Sequence, residues 1–196
     1  MNKTHVIIGV SSAAAIATTI IIVSHYNSAA NKILRCAGKW VGNKEIYSNQ
    51  GWENKDFQNL MKSAGWWPGA EWCNLFVRLV FRTVCKKGSD AYNFWDTHLS
   101  PSTQTTWSNL QAKSKYHSIM DKPEKGSLVI YRSNSDSTKG HIEIVEKVNK
   151  DGSYEVISGN SPLGTSSQPQ GVAHRHRAKT GISGFKILGF VKIKKI

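Results

Sequence analysis

The chain has 196 residues, 39% of them apolar and seven of them tryptophan, so it can bury the core of one domain of about 100 to 200 residues but not of two. Its 26 Lys and Arg outnumber its 13 Asp and Glu, and the formal charge of +13 favours an anionic partner over a cationic one. Nucleic acid, anionic lipid and cell-wall polymer all fit. The last side-chain carboxylate belongs to Glu155, so any catalytic acid lies at or before this residue.

An uncharged run of eighteen residues, from position 6 to position 23, is the first predicted element. At a rise of about 1.5 Å per residue it extends about 27 Å, close to the roughly 30 Å of a hydrocarbon core, and this length predicts one transmembrane helix. Five glycine, serine and threonine residues dilute the run. A permanent anchor, a cleaved signal peptide and a segment that enters and later leaves a membrane are therefore alternatives, of which we expect the anchor.

Basic residues follow this run more closely than they precede it. Lys32, Arg35 and Lys39 lie on its C-terminal side, whereas Lys3 alone precedes it. Because positively charged flanks are retained in the cytoplasm, this arrangement favours a cytoplasmic C-terminal part.

We predict three segments along the chain. Residues 1–24 form a transmembrane anchor or signal-like segment, residues 25–50 a polar linker, and residues 51–196 the folded domain. The domain starts with a short helix, because apolar residues recur at helical spacing in WENKDFQNLMKSAGWW before a glycine.

A second helix follows the Pro-Gly turn in the stretch WPGAEWCNLFVRLVF. Its apolar residues cover almost every side, so we expect it to be buried in the core. Cys73 falls in its first turn, where unpaired backbone amides and the helix dipole favour a thiolate. A catalytic nucleophile and an ordinary buried sulfur both fit this position.

Three cysteines make an odd set, so one thiol is free unless the chain pairs with another. On one continuous helix Cys73 and Cys85 would lie about 18 Å apart, beyond the reach of a disulfide. Cys36 could pair with either of them.

The remainder divides into a loop-rich middle, residues 86–122, and a C-terminal third of short strands. GSLVIYR, HIEIVEKV, SYEVISG, GVAHRHR and FKILGFVKI are β-rich, and the Asp-Gly pair at 151–152 indicates a hairpin. Helices followed by strands predict an α+β domain with an antiparallel sheet. The sequence contains no internal repeat, P-loop or dinucleotide fingerprint.

A nucleophilic thiol needs a base from elsewhere in the chain, and His141 at the start of GHIEIVEKV is the candidate. Alternation along SYEVISGNS places Ser158 and Asn160 on one face, where both can point at a histidine of the neighbouring strand. Asparagine can orient an imidazole in this way. The alternatives are a half-exposed strand histidine and an asparagine that serves only a turn after Gly159.

These motifs, in this order, resemble a CHAP domain, the cysteine, histidine-dependent amidohydrolase and peptidase family of the papain-like superfamily. The resemblance is carried by EWCNLFVRLVF, PEKGSLVIY, GHIEIVEKVNKDGSYEVISGN and ILGFVKI, and it covers roughly residues 50 to 196. It implies a papain-like α+β fold in which N-terminal helices pack on an antiparallel β-sheet, here preceded by the predicted transmembrane helix.

The resemblance also implies a peptidoglycan hydrolase, which cuts either the N-acetylmuramoyl-L-alanine bond or a peptide bond of the stem or cross-bridge. Cys73 would be the nucleophile, His141 the base and Asn160 the polar residue that closes the site, without a cofactor. We expect Trp67, Trp72 and Ser158 to bind substrate. Core or rim packing is the alternative role of the tryptophans.

One residue departs from the family pattern. Many members carry glutamate two residues before the asparagine, where this chain has Ser158, and a hydroxyl cannot stabilise an imidazolium as a carboxylate does. Glu143, two residues after His141 on the same strand face, is a possible substitute.

Several rival interpretations remain open. The NlpC-type peptidases share the chemistry but generally use a histidine as the third polar residue. His174 and His176 lack further ligands for a metal, so we expect no metal and interpret them as part of a basic strand. No nucleic-acid module is recognisable, so we expect no specific nucleic-acid partner. A non-catalytic membrane or virion protein that retains the fold as a structural or wall-binding element is the alternative from another class.

The predicted location is a membrane, either the virion membrane or the bacterial inner membrane, with residues 6–23 as the membrane contact and the catalytic domain facing the cell wall. This conflicts with the orientation that the basic residues favour, and a cleaved leader, a late-released segment or a viral membrane would reconcile the two. The arrangement suits a bacteriophage enzyme of the endolysin type, for lysis or for entry, and also a bacterial cell-wall remodeller; of these we favour the bacteriophage enzyme. The sequence leaves the oligomeric state open.

Overall fold

The computed structural model describes residues 28–164 and 169–196, in which five helices precede a six-stranded antiparallel sheet. The helices are α1 (Ala29–Gly38), α2 (Lys55–Ser63), α3 (Cys73–Val84), α4 (Asp90–His98) and α5 (Thr103–Asn109). The strands are β1 (His117–Met120), β2 (Leu128–Ser133), β3 (Gly140–Val148), β4 (Tyr154–Pro162), β5 (Gln170–Arg177) and β6 (Phe185–Ile193). They lie in the order β1-β6-β2-β3-β4-β5. The α+β class and the antiparallel sheet agree with the sequence prediction.

The predicted transmembrane helix and membrane-anchored location are corrected by the structure. Among residues 28–164 and 169–196, no helix is both long and apolar enough to cross a membrane. The longest of them, α3, has 12 residues, and such a helix extends about 18 Å against a hydrocarbon core of about 30 Å. The predicted span itself, residues 6–23, lies outside the described residues.

A helix, α1, lies within the segment predicted to be a linker. Ser28 caps it by accepting a hydrogen bond from the backbone N–H of Asn31 at 3.3 Å. Ile33 and Ala37 are fully buried, and the thiol of Cys36 faces the carbonyl of Val80 on α3 at 4.0 Å. The sequence did not predict this helix, because its apolar face is narrow and residues 25–50 are polar in overall composition. The division of the chain into three segments otherwise stays a prediction.

Two further helices lie in the middle that was predicted to be loop-rich. Serines cap both of them, with Ser89 before α4 and Ser102 before α5. Trp95 of α4 packs against Phe81 of α3 with ring centroids 4.5 Å apart. Helices of nine and seven residues are too short for a hydrophobic period to show in the sequence, and tertiary packing holds them.

The central helix, α3, packs against β3 and β4. Eight of its residues are buried, from Cys73 to Phe81, which agrees with the predicted core helix. Gly159 of β4 permits the close approach, because a Cβ atom there would lie 2.7 Å from Cβ of Phe76. The N-terminus of α3 is thereby held beside the strands that carry the predicted site residues.

Candidate active site

Cys73 is the first residue of α3, and its side chain is almost completely buried. The preceding residue, Trp72, makes no side-chain cap, so the first backbone amides of the helix remain available to an anion. Cys36, Cys73 and Cys85 are all free thiols. The pairing of Cys36 that the sequence left open is therefore not made.

His141 is the base predicted for this thiol, and it lies beside Cys73 and interacts with it. Its ring Nε2 lies 2.9 Å from the hydroxyl oxygen of Ser158 and 3.4 Å from a carboxylate oxygen of Glu143. The imidazole is 15% exposed, whereas the Glu143 side chain has no exposed surface. Nε2 of the ring is therefore held by side chains of β3 and β4.

Electrostatics at this position favour the imidazolium. Burial by itself lowers the pKa of His141, but the interactions with Cys73 and Glu143 outweigh it and raise that pKa to about 10. At neutral pH the ring is then protonated, and a protonated histidine beside a thiol stabilises the thiolate.

Glu143 is a buried carboxylate with three partners. Arg177 of β5 donates two hydrogen bonds to it, at 3.0 and 2.6 Å, and the hydroxyl of Tyr131 donates a third at 3.1 Å. Burial raises the pKa of Glu143, but His141 and Arg177 together lower it to about 2. Tyr154 extends the network, with its hydroxyl 3.0 Å from that of Tyr131. The carboxylate is thus ionised and held in a single orientation.

Asn160 is not hydrogen-bonded to His141 within the described ranges. Its backbone has φ of 55°, in the left-handed region, where the register between β4 and β5 shifts between Ser158 and Ser161. This bulge breaks the alternation that predicted Ser158 and Asn160 side by side. The side-chain oxygen of Asn160 is buried and has no hydrogen-bond partner in the described part of the chain.

Of the residues predicted to bind substrate, the structure exposes one. This residue is Trp67, on the loop before α3, which is 55% exposed. Tyr47, which was not among the predicted residues, is 63% exposed. Trp72 is fully buried, with its ring centroid 5.0 Å from that of Trp52, so it has no surface to offer a substrate. Ser158 is also fully buried and contacts His141 instead.

A short helix, α5, contacts both α3, which carries Cys73, and the β2–β3 hairpin, which carries His141. Thr103 accepts a hydrogen bond from the amide of Asn74 at 3.2 Å, and its hydroxyl lies 4.0 Å from the sulfur of Cys73. The next residue, Gln104, donates to the backbone carbonyls of Tyr131 and Lys139, both at 3.3 Å. This helix therefore links the first turn of α3 to the hairpin that carries His141.

Sequence reasoning missed Thr103, Tyr131 and Arg177. A signal existed for Tyr131, because β2 and β3 pair so that Tyr131 lies opposite His141, and adjacent antiparallel runs can be aligned from their alternation. Thr103 and Arg177 reach the site from α5 and from the last residue of β5. Nothing local in the sequence relates these positions to Cys73 or Glu143.

Comparisons with known proteins give one family and one structure. Residues 21–160 match the family model described as the CHAP domain. A solved structure described as the crystal structure of a wild type endolysin, LysIME-EF1, is similar with a TM-score of 0.48 at 12% identity, covering 84% of this chain and 64% of that one. This chain thus spans less than two thirds of the endolysin chain. No curated protein matches the sequence.

Proposed function

Since this chain belongs to the CHAP domain family, we propose that it is a peptidoglycan hydrolase that cleaves an amide bond of the bacterial cell wall. The observation that carries the proposal is the position of Cys73, at the uncapped start of α3, beside His141, whose ring is held by Ser158 and Glu143. A thiolate paired with an imidazolium is the form that attacks acyl carbons.

The proposed reaction is acyl transfer in two steps. The Cys73 thiolate attacks the amide carbonyl carbon, and the first backbone amides of α3 bind the oxygen as it becomes negative. The C–N bond then breaks, the leaving amine takes the proton from the His141 imidazolium, and a thioester remains. Neutral His141 next accepts a proton from water, whose oxygen attacks the thioester. The C–S bond breaks, which restores the thiolate and the imidazolium.

The charge and the exposed aromatic residues support a polymeric anionic substrate. Peptidoglycan carries free carboxylates, and a net charge of +13 attracts such a polymer over several ångströms. Trp67 and Tyr47 offer exposed rings on which sugar or peptide could stack. Asn160, with its unpartnered side-chain oxygen, stays a proposed site residue. Both the N-acetylmuramoyl-L-alanine bond and a peptide bond of the stem or cross-bridge suit this chemistry.

A zymogram of the full chain tests the proposal. We expect the parent protein to clear peptidoglycan and Cys73→Ala to lose clearing by at least about 10³-fold, because the nucleophile is removed. Cys85→Ala is the matched control, since it removes a buried thiol at the other end of α3, and it should clear like the parent. Mass spectrometry of the released fragments then distinguishes amidase from endopeptidase cleavage.

Clearing by Cys73→Ala at the parent rate would refute this mechanism. Absence of clearing by a folded parent protein on several peptidoglycan chemotypes would instead favour a non-catalytic wall-binding role, which a sedimentation assay with purified peptidoglycan would measure.

A further inference from the structure

We propose that Glu143, held in place by Arg177, is the positioning residue that orients His141 and places a negative charge beside its ring. The proposal rests on the function proposed above. The resemblance to the family leaves this position of β4 without a carboxylate, because Ser158 stands where many members have a glutamate. The structure supplies a carboxylate from the neighbouring strand, β3.

The first observation is the position of the carboxylate. Glu143 and His141 are two residues apart on β3, so their side chains leave the same face of the sheet. One oxygen of Glu143 lies 3.4 Å from Nε2 of His141, and the Glu143 side chain has no exposed surface. At such burial an ionic interaction is weakly screened by solvent and strongly affects the protonation of its partner.

The second observation is the way in which the carboxylate is held. Arg177 engages both oxygens of Glu143 through Nε and Nη2, and this bidentate geometry permits little rotation of the carboxylate. Tyr131 donates to the oxygen that does not face His141. The Glu143 carboxylate, carried by β3, is therefore held in place by contacts from two other strands, β2 and β5.

The third observation is the balance of charge. An isolated Glu143–Arg177 pair would already be neutral, and a protonated His141 added to it would be an uncompensated buried charge. In the proposed mechanism the thiolate of Cys73, which interacts with the same ring, supplies a fourth charge that compensates the imidazolium. Glu143 would then act on the thiol only through the imidazole that lies between the two groups in this mechanism.

The hydroxyl of Ser158 has a different task in this arrangement. It accepts the Nε2–H hydrogen bond of the imidazolium at 2.9 Å, which is shorter than the 3.4 Å to Glu143, but it brings no charge. A glutamate on β4 would supply both a hydrogen bond and a negative charge. In this chain Ser158 on β4 supplies the hydrogen bond and Glu143 on β3 supplies the negative charge.

Alkylation of Cys73 tests the proposal without any need for peptidoglycan. The full-length parent, Glu143→Gln and Ser158→Ala are treated with iodoacetamide at pH 7, and the peptide containing Cys73 is quantified by mass spectrometry. We expect Glu143→Gln to lower the alkylation rate at least about tenfold, because a shift of one pKa unit changes a protonation equilibrium tenfold. Ser158→Ala should lower it less.

An NMR titration measures the pKa of the His141 ring, which would not change if Glu143 had only a structural role. In Glu143→Gln its pKa should fall from about 10 towards the usual value of 6.5, whereas in Ser158→Ala it should stay near the parent value. Peptidoglycan turnover by Glu143→Gln should fall by about 10²-fold in kcat with little change in KM, since the group acts on the base and not on substrate.

Folding of the variant has its own control. Glu143→Gln leaves the Arg177 charge without its partner, so the double variant Glu143→Gln with Arg177→Gln, which removes both charges, is measured alongside by thermal unfolding. The double variant should show the same slow alkylation. Parent-like alkylation and titration in a folded Glu143→Gln or double variant would overturn the proposal, as would a larger loss in Ser158→Ala.

The outcomes separate this inference from the proposed function. If peptidoglycan is not cleaved but Cys73 alkylation depends on Glu143, the function is wrong and the positioning role stands. If cleavage depends on Cys73 but not on Glu143, the function stands and the positioning role is wrong.

Discussion

Thr103 is a residue whose hydroxyl contacts two neighbouring residues of α3 at once. Its oxygen accepts a hydrogen bond from the amide of Asn74, so its own proton is not used in that contact. The sulfur of Cys73 lies 4.0 Å from the same oxygen, within the range of a hydrogen bond to sulfur. A buried threonine is therefore placed to donate to the Cys73 thiolate.

We predict that Thr103→Val lowers the rate of Cys73 alkylation at pH 7 about tenfold, because a hydrogen bond to a charged group contributes about 1.5–3 kcal/mol. Thr106→Val is the matched control. Thr106 lies one turn later on α5 and is buried, and its hydroxyl bonds to the backbone of Ser100, so this variant should lose stability but keep the alkylation rate. Equal rates for Thr103→Val and the parent would contradict the prediction.

Single residues also show where local rules stop being sufficient. Cys73 and His141 could be proposed from the sequence, because a helix start and a strand start are local signals. Asn160 could not be placed in the same way, since its left-handed backbone and the bulge beside it depend on how β5 pairs with β4. Trp72 was predicted to bind substrate, but residues distant in sequence bury it completely.

Among the elements, α1 shows how a short helix becomes part of the fold. It packs against α3, and Ala30 approaches the turn before β2 so closely that a Cβ atom on Gly126 would lie 2.4 Å from that of Ala30. The helix thus touches both the element that carries Cys73 and the turn that leads into the sheet. We expect it to contribute to the stability of the folded unit.

Ile33→Ala measures that contribution. Ile33 has no exposed surface, and truncation of a buried isoleucine costs about 2–5 kcal/mol when the cavity does not collapse. Urea unfolding of the full chain should show this loss in the free energy of unfolding. Lys39→Ala, at the exposed C-terminal end of the same helix, should change it by less than about 0.5 kcal/mol. Stability unchanged in Ile33→Ala would mean that α1 is not packed as described.

The whole molecule should respond to pH through the pair formed by His141 and Glu143. The pKa of Glu143 is lowered from 4.5 to about 2, so its contribution to stability is present above pH 4.5 and is lost as the pH falls towards 2. The pKa of His141 is raised from 6.5 to about 10, so its contribution is present below pH 6.5 and is lost as the pH rises towards 10. Both contributions are complete only between these limits.

We therefore predict that the melting temperature of the full chain is highest between about pH 4.5 and 6.5 and falls on both sides. In Glu143→Gln both flanks should flatten, because the variant removes the carboxylate titration and one of the two groups, Cys73 and Glu143, that raise the pKa of His141. Glu155→Gln removes a surface carboxylate paired with His176 and should leave the profile nearly unchanged. A parent profile that is flat from pH 4 to 9 would contradict the prediction.

The sequence by itself was sufficient to predict the α+β class, the antiparallel sheet and the burial of α3. It was also sufficient for the resemblance to the CHAP domain family, which the match of residues 21–160 to the family model confirms. These properties depend on composition, on periodicity within one element and on the order of short motifs, all of which are local. The tertiary structure decided which partner reaches His141. Ser158 and Glu143 are the polar partners of the ring, and Asn160 is not hydrogen-bonded to it, because a bulge changes the register of β4. Arg177, which holds Glu143, arrives from a strand whose position no local pattern encodes.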